Sequence, residues 1–197
     1  MAKKDYSNLT KDQLLEVIEK LEGKKKYGLV WDEERVPEKV VTDCQDKLPV
    51  LTEVKGKEIT TDENEPTHIL IEGDNYHALS VLNYTHKGKI DLIYIDPPYN
   101  TGHKDFIYND SYVDRTDNYR HSKWLSFMKN RLQLAKELLS YRGTIFISID
   151  ENEFAQLKLL SDSIFGEDNY VIDIIWNSRK SVSNDTIISL NHNHTFF

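Results

Sequence analysis

The sequence predicts an α/β protein built on a doubly wound parallel sheet and preceded by a helical leader. From His68 onward the pattern runs strand, helix, strand, helix, strand, the order that lays helices on a parallel sheet through right-handed crossovers. The strand-length runs, such as Ile90–Ile95 and Thr144–Ile149, are rich in Ile, Leu and Phe, as expected of strands buried in a sheet. With 197 residues, 39% of them hydrophobic and 29% charged, the chain is long enough for one domain with a sizeable core.

At the amino end, Thr10-Lys11-Asp12-Gln13 is a capping box, and Leu9 and Leu14 are placed as its hydrophobic staple. A helix over Lys11–Glu22 follows, with Leu14, Ile18 and Leu21 as its apolar stripe and Gly23 as its stop. Residues 32–66 are charged, carry Pro37, Pro49 and Pro66, and read as a linker with one or two short elements. The chain therefore divides into a leader, residues 1–65, and a sheet-forming part, residues 66–197.

Within the second part, His68–Ile71 is expected as a strand ending at Gly73-Asp74, and Ala78, Leu79 and Leu82 line the next helix. The strand Ile90–Ile95 should place Leu92, Ile93 and Ile95 in the sheet core. Residues 101–121 read as a long polar loop holding Phe106, Tyr108, Tyr112 and Tyr119 beside Lys104, Arg115 and Arg120. Such a loop suits a lid over a base and its phosphates, or simple packing back on the domain. A helix over Ser122–Ser140 carries Trp124, Met128, Leu132, Ala135 and Leu139 on one face, with Gly143 as its stop and Thr144–Ile149 as the next strand. Asp150 through Glu153 form a capping box, which accounts for both acids, into a helix bearing Phe154, Leu157, Leu160 and Ile164 and closed by Gly166. Tyr170–Trp176 is a further strand, residues 177–186 a polar loop, and Thr195-Phe196-Phe197 the start of another strand.

Composition narrows the class. Cys44 is the only cysteine, so neither an internal disulfide nor a cysteine-cluster metal site can form. Met1 through Ser7 lead into no apolar segment, and no run approaches the ~18 apolar residues of a membrane span, so a cytoplasmic protein without a membrane partner is expected. The net charge of −8 argues against wrapping duplex DNA unaided, because non-specific affinity comes mainly from Lys and Arg on phosphates. Lys24-Lys25-Lys26 reads as a solvated helix end, and Arg179-Lys180 as a local basic pair. His192-x-His194 has no nearby acid or cysteine to complete a site, so no metal is expected.

The chemically loaded segment follows the strand at 90–95: Asp96-Pro97-Pro98-Tyr99-Asn100-Thr101-Gly102. Proline cannot donate to a ladder and restricts the residue before it, so the pairing ends and Asp96 and Tyr99 are held in extended geometry. In an open α/β sheet the crevice beyond a strand's carboxyl end is the usual ligand site. Transfer to a planar amine suits this loop. The lone pair of a nucleobase amino group is delocalised into the ring, and two acceptors that pull its hydrogens out of plane make it nucleophilic. The Asp96 carboxylate and the Pro97 carbonyl are the candidate acceptors, and Tyr99 is a face on which a base can stack for about 1–3 kcal/mol.

Asp96-Pro97-Pro98-Tyr99 resembles the catalytic motif of the DNA amino-methyltransferases that use S-adenosylmethionine, and Asp in first place resembles the adenine-N6 group. With Ile71-Glu72-Gly73-Asp74-Asn75 before it and Phe146 through Glu153 after it, the run is similar to the modification subunits of type III restriction-modification systems over roughly residues 66–176. The resemblance implies a circularly permuted, Rossmann-like methyltransferase sheet, of which this chain holds a part. It implies S-adenosylmethionine as cofactor, with Asp74 near its adenine end and Asn100 and Thr101 near its methionine end. It further implies double-stranded DNA with a flipped adenine as substrate, and as partners a restriction subunit and a second methyltransferase copy.

One family feature is missing. The expected Phe-x-Gly-x-Gly turn cannot be formed, because no two of the 8 glycines are close enough in sequence. In the family's order that turn and the target-recognition domain come later, so the chain is expected to be incomplete and incompetent alone. Two strands from the missing part would lie between residues 68–71 and 90–95, leaving a polar edge and apolar faces exposed here. Cytosine-N4 methylation, which uses the same geometry, and a non-catalytic interaction module are the rival expectations.

Overall fold

In the computed structural model, residues 9–22, 29–31, 37–59, 65–177 and 192–196 are described. Lys24-Lys25-Lys26, Arg179-Lys180, Gly23 and Phe197 lie outside them, as does nearly all of the 177–186 loop.

The leader begins with α1, Lys11–Glu22. Its capping box is reciprocal: the Thr10 amide donates to Gln13 Oε1 at 2.9 Å, and the Gln13 amide donates to Thr10 Oγ1 at 3.3 Å. Helix α2 spans Lys39–Asp46. Just before it, Asn109 clamps the leader by accepting from the Lys39 amide at 2.7 Å and donating to the Pro37 carbonyl at 2.9 Å.

Helix α3, Asn75–Thr85, leads into β1, Ile90–Ile95. The chain then forms a small antiparallel hairpin of β2, Ile107–Tyr108, and β3, Ser111–Tyr112. Helix α4, Arg120–Leu138, runs without a break into β4, Leu139–Ile149. Helix α5, Phe154–Phe165, a 3₁₀ turn over Glu167–Asn169, β5, Asp173–Asn177, and β6, His192–Phe196, complete the described elements.

The main sheet has the order β1-β4-β6-β5. Strands β1 and β4 are parallel, joined by the crossover through α4, whereas β6 runs antiparallel to both β4 and β5. The sheet is thus mixed, which corrects the all-parallel expectation. Strand β5 follows the helical crossover through α5 and runs in the same direction as β4, whereas β6 lies between the two in the opposite sense.

The core lies where α4 and α5 pack together over β4, around Trp124, Met128, Leu132, Ile147, Ile149, Leu157 and Leu160. Phe106, Tyr108 and Val113 from the hairpin segment join it, Phe106 meeting Phe127 edge-on at 5.2 Å. Residues 101–121 are therefore not a wholly polar loop, since Phe106 and Tyr108 pack back on the domain while Tyr112 and Tyr119 stay exposed.

Other expectations need correction. His68–Ile71 forms no strand, and Leu70 is 96% exposed, because no described strand lies beside it to complete a ladder. Leu92 is 61% exposed rather than core, since β1 is an edge strand. Gly143 does not stop α4, which ends at Leu138; it lies inside β4, where the β1 register shifts between Ile90 and Leu92. A side-chain carbon at Gly143 would stand 2.7 Å from the Ile90 carbonyl, so only glycine lets β4 pass there. Strand β5 begins at Asp173 rather than Tyr170.

Candidate active site

The Asp96–Thr101 loop leaves β1 at the carboxyl end of the parallel pair, beside Asp150 at the end of β4. Asp96 is exposed, while Pro97, Pro98 and Tyr99 are half-buried, Tyr99 packing against the core. Two anchors hold the loop. On one side the Trp124 indole Nε1 of α4 donates to the Pro98 carbonyl at 2.6 Å. On the other, Asn100 is fully buried with φ +57°, a left-handed conformation that asparagine tolerates better than most residues.

The Asn100 side-chain Nδ2 donates to Glu153 Oε1 at 2.5 Å and to the Arg120 carbonyl at 3.3 Å. Glu153 is itself fully buried, and the same Oε1 lies 2.7 Å from His121 Nδ1. The tautomer follows from the next contact: Arg120 Nε, always a donor, gives a hydrogen bond to His121 Nε2 at 3.1 Å. A neutral His121 therefore carries its proton on Nδ1 and donates it to Glu153. The result is a relay from Arg120 through His121 and Glu153 to Asn100. Burial pushes the Glu153 carboxyl above its usual range, and Asn100, His121 and Arg120 only partly offset this.

Thr101 continues the loop, its amide donating to Asp105 Oδ2 at 2.9 Å while its hydroxyl accepts from the His103 amide at 3.2 Å. Partial burial acts to raise the Asp105 carboxyl, but the Thr101, Gly102 and Asp105 donors outweigh it and the net shift is downward. Gly102 has φ +82° and sits where an added Cβ would come within 2.6 Å of Arg115 Cβ, so the turn requires glycine. Asp150 accepts from the Asn152 amide and side chain, and burial raises its carboxyl despite those donors.

Asp74 lies apart from this loop, at the amino end of α3. Its Oδ1 caps the helix by accepting from the Tyr76 amide at 2.7 Å, and also accepts from Arg131 Nη2 at 3.2 Å. Arg131 is buried, donates to Glu38 Oε1 at 2.8 Å and to the Phe127 carbonyl at 3.0 Å, and stacks 3.7 Å over the Phe127 ring. Helix α4 thus carries both places, Arg120 to Trp124 at the loop and Arg131 at Asp74, about 10 to 16 Å apart along its axis. A cleft of about 400 Å³ opens at Asp74 between Cys44–Leu51 of the leader and Ile71, Ala78 and Val81. The motif loop is not part of it.

Sequence reasoning singled out Asp96 through Thr101 and Asp74; it did not foresee the contacts that Trp124, His121, Arg131 and Glu153 make around them. The expected capping by Glu153 is corrected: it occupies the cap position of α5, yet its side chain makes no cap hydrogen bond and turns inward. A run of three acids within Asp150–Glu153, at the end of a strand beside the motif strand, is more than a cap needs and was the available signal. His194 lies in β6, 2.7 Å from Asp173 Oδ2 and packed against the Phe154 ring. Among the described residues no group of three potential ligands could hold a metal.

A carboxylate and an aromatic ring, held by prolines and a buried polar relay at the end of a parallel strand, make a candidate site at the strand ends of an α/β fold. The chain belongs to the DNA methylase family of N6 and N4 methyltransferases, which it matches over residues 90–197. It is 35% identical over 209 aligned residues to the Mod subunit of the type III restriction-modification enzyme EcoP15I of Escherichia coli, covering 93% of this chain and 32% of that protein. It is 44% identical to the StyLTI Mod subunit of Salmonella typhimurium over 64% of this chain and 23% of that one. With the type II methyltransferase M.KpnI of Klebsiella pneumoniae it shares 47% identity over 52% of this chain and 25% of that protein. The chain thus spans about a third or less of each of these relatives.

Proposed function

We propose that residues 66–197 form the catalytic part of an adenine-N6 DNA methyltransferase, the modification component of a restriction-modification system, and that residues 1–65 are its leader. The observation that carries this reading is the pinning of the motif loop from both ends, by Trp124 at Pro98 and by Glu153 at Asn100, with the Asp96 carboxylate left facing solvent. Such a loop is preorganised to receive a planar amine rather than shaped by it.

In this reading an adenine flipped from the duplex, at a cost of a few kcal/mol, stacks on Tyr99. The Asp96 carboxylate and the Pro97 carbonyl accept the two amine hydrogens and draw them out of the ring plane, localising the lone pair on the nitrogen. Asp96 also stabilises the positive charge that develops on nitrogen, and need not act as a general base. S-adenosylmethionine supplies the methyl group. The residues present fit its nucleoside end: the cleft at Asp74 has apolar walls in Leu48, Leu51, Ile71 and Val81 and carboxylates in Asp43, Glu72 and Asp74. Asn100 and Thr101 lie toward the methionine end, Asn100 acting through its backbone because its side chain is committed to Glu153. The partners in this reading are double-stranded DNA, a restriction subunit and a second methyltransferase copy, in the cytoplasm.

Transfer of tritium from labelled S-adenosylmethionine to unmodified DNA tests the proposal. The protein as encoded by its gene should methylate, and chromatography of the digested DNA should return N6-methyladenine; N4-methylcytosine would replace the substrate assignment. Asp96→Ala should abolish transfer with the circular dichroism spectrum unchanged, and retained methylation would remove Asp96 from its role. The rival reading is a non-catalytic interaction module, which needs no cofactor. Isothermal titration with S-adenosylmethionine separates the two, since a competent site should bind at roughly micromolar to millimolar levels, about −8 to −4 kcal/mol, and the module should not bind.

A further inference from the structure

We propose that Glu153 is a positioning residue for this reaction: gripping Asn100 from inside the protein, it fixes the backbone conformation that presents Asp96 and Tyr99. The proposal rests on the methyltransferase reading above for its kinetic consequence, but its structural claim stands on geometry alone.

Three observations carry it. First, Asn100 directly follows Tyr99 and holds φ +57°, a conformation that persists only when its surroundings enforce it. Second, the enforcement is a single short hydrogen bond from Asn100 Nδ2 to Glu153 Oε1, with a weaker one to the Arg120 carbonyl. Third, Glu153 is too buried to meet solvent or substrate, so its carboxylate serves only groups inside the protein.

Burying a carboxylate is costly unless charge and hydrogen bonds compensate. The groups facing it are Asn100 from the motif loop and His121 and Arg120 from α4, with Gln156 of its own helix 3.4 Å from the His121 ring. Glu153 Oε1 takes both hydrogen bonds, while Glu153 Oε2 and Asn100 Oδ1 are buried without a partner among the described residues. An arrangement optimised for stability alone would leave neither oxygen bare. One that must hold the loop residue and the histidine at a common point accepts that penalty.

Replacement by glutamine separates geometry from charge. The glutamine oxygen can accept from Asn100 and His121 as the carboxylate does, and its amide nitrogen falls where Oε2 has no partner. Glu153→Ala removes the grip altogether. Two readouts are compared on the protein as encoded: protection of the Asn100 side-chain amide and the His121 Nδ1 proton by NMR, and the split between kcat and KM in methyl transfer.

In Glu153→Ala both proton signals should be lost and kcat should fall about tenfold to a hundredfold, the scale of a small misplacement of reacting groups, with KM for S-adenosylmethionine little changed. Glu153→Gln should keep both signals and most of kcat. Asn100→Ala should match Glu153→Ala, and the double variant should be no worse than either, as expected of residues acting through one contact. The proposal is overturned if Glu153→Ala keeps its kcat, if glutamine fails as alanine does with the signals intact, or if the two losses add. If the unaltered protein transfers no methyl group, the function proposed above fails, and the NMR comparison still decides whether Glu153 holds the loop.

Discussion

Trp124 shows how much one side chain can decide at the motif loop. As a large apolar residue on the inner face of α4 it was legible in the sequence as core, and it is fully buried. What spacing could not reveal is that its indole nitrogen satisfies the Pro98 carbonyl, a group that the prolines had removed from any ladder. Trp124→Phe keeps the ring and deletes the donor. It should cost about 1–3 kcal/mol in urea unfolding, the penalty of leaving a desolvated acceptor unpaired, and should loosen the loop. An unchanged midpoint would mean that water replaces the indole. Glu153 was misread for a related reason: its spacing from Asp150 suits a capping box, and only the packing of α4 against α5 turns it toward Asn100.

At the scale of elements, two acids on either side of the motif loop respond to pH in opposite senses. The Glu153 carboxyl at the start of α5 is raised by burial, so just above the ordinary glutamate value, about 4.3, the folded state keeps a proton that the unfolded chain has released. Its contribution is therefore lost as pH rises through that window, and Glu153→Gln should flatten the decline. The Asp105 carboxyl is lowered by the Thr101, Gly102 and Asp105 donors, so its stabilisation is present above the ordinary aspartate value and disappears as pH falls through the folded one. Asp105→Asn should remove that acid-side dependence. Urea midpoints taken from about pH 3 to about pH 7 check both slopes, and parallel curves for wild type and variants would show that neither group is linked to folding. The boundaries of α1, β1 and α5 were legible because the Thr10 capping box, the two prolines after Asp96 and the closing Gly166 are local signals. The hairpin within residues 101–121 was not, because Phe106 and Tyr108 become core only when α4 lies across them.

Among the described residues the sheet has open edges at β1 and β5, with exposed apolar residues along β1 and before α3, among them Leu92, Tyr94, Ile69 and Leu70. Edges and patches of this kind invite self-association, and a net charge of −8 opposes it only weakly at physiological salt. The chain should bind a hydrophobic dye in its folded state and associate as concentration rises in light scattering. Leu92→Lys should reduce both while changing stability by no more than about 0.5 kcal/mol, because an exposed edge position contributes little to the core. A large loss of stability would instead place Leu92 in a contact that its exposure does not suggest. Residues 68–71 teach the same lesson: the sequence has strand character there, yet no ladder forms among the described residues.

By itself, the sequence determined the α/β class, the capping box of α1, the strand that stops at two prolines, and the acid and aromatic that follow. These are properties of neighbours in the chain, set by backbone chemistry and hydrophobic period. Only the tertiary structure decided that β6 returns antiparallel, that Gly143 and Gly102 are places of close backbone approach, and that Trp124, His121 and Glu153 converge on the motif loop. Those contacts join residues 26 to 53 positions apart. Their partners are chosen by how helices pack on a sheet, and no local pattern encodes that choice.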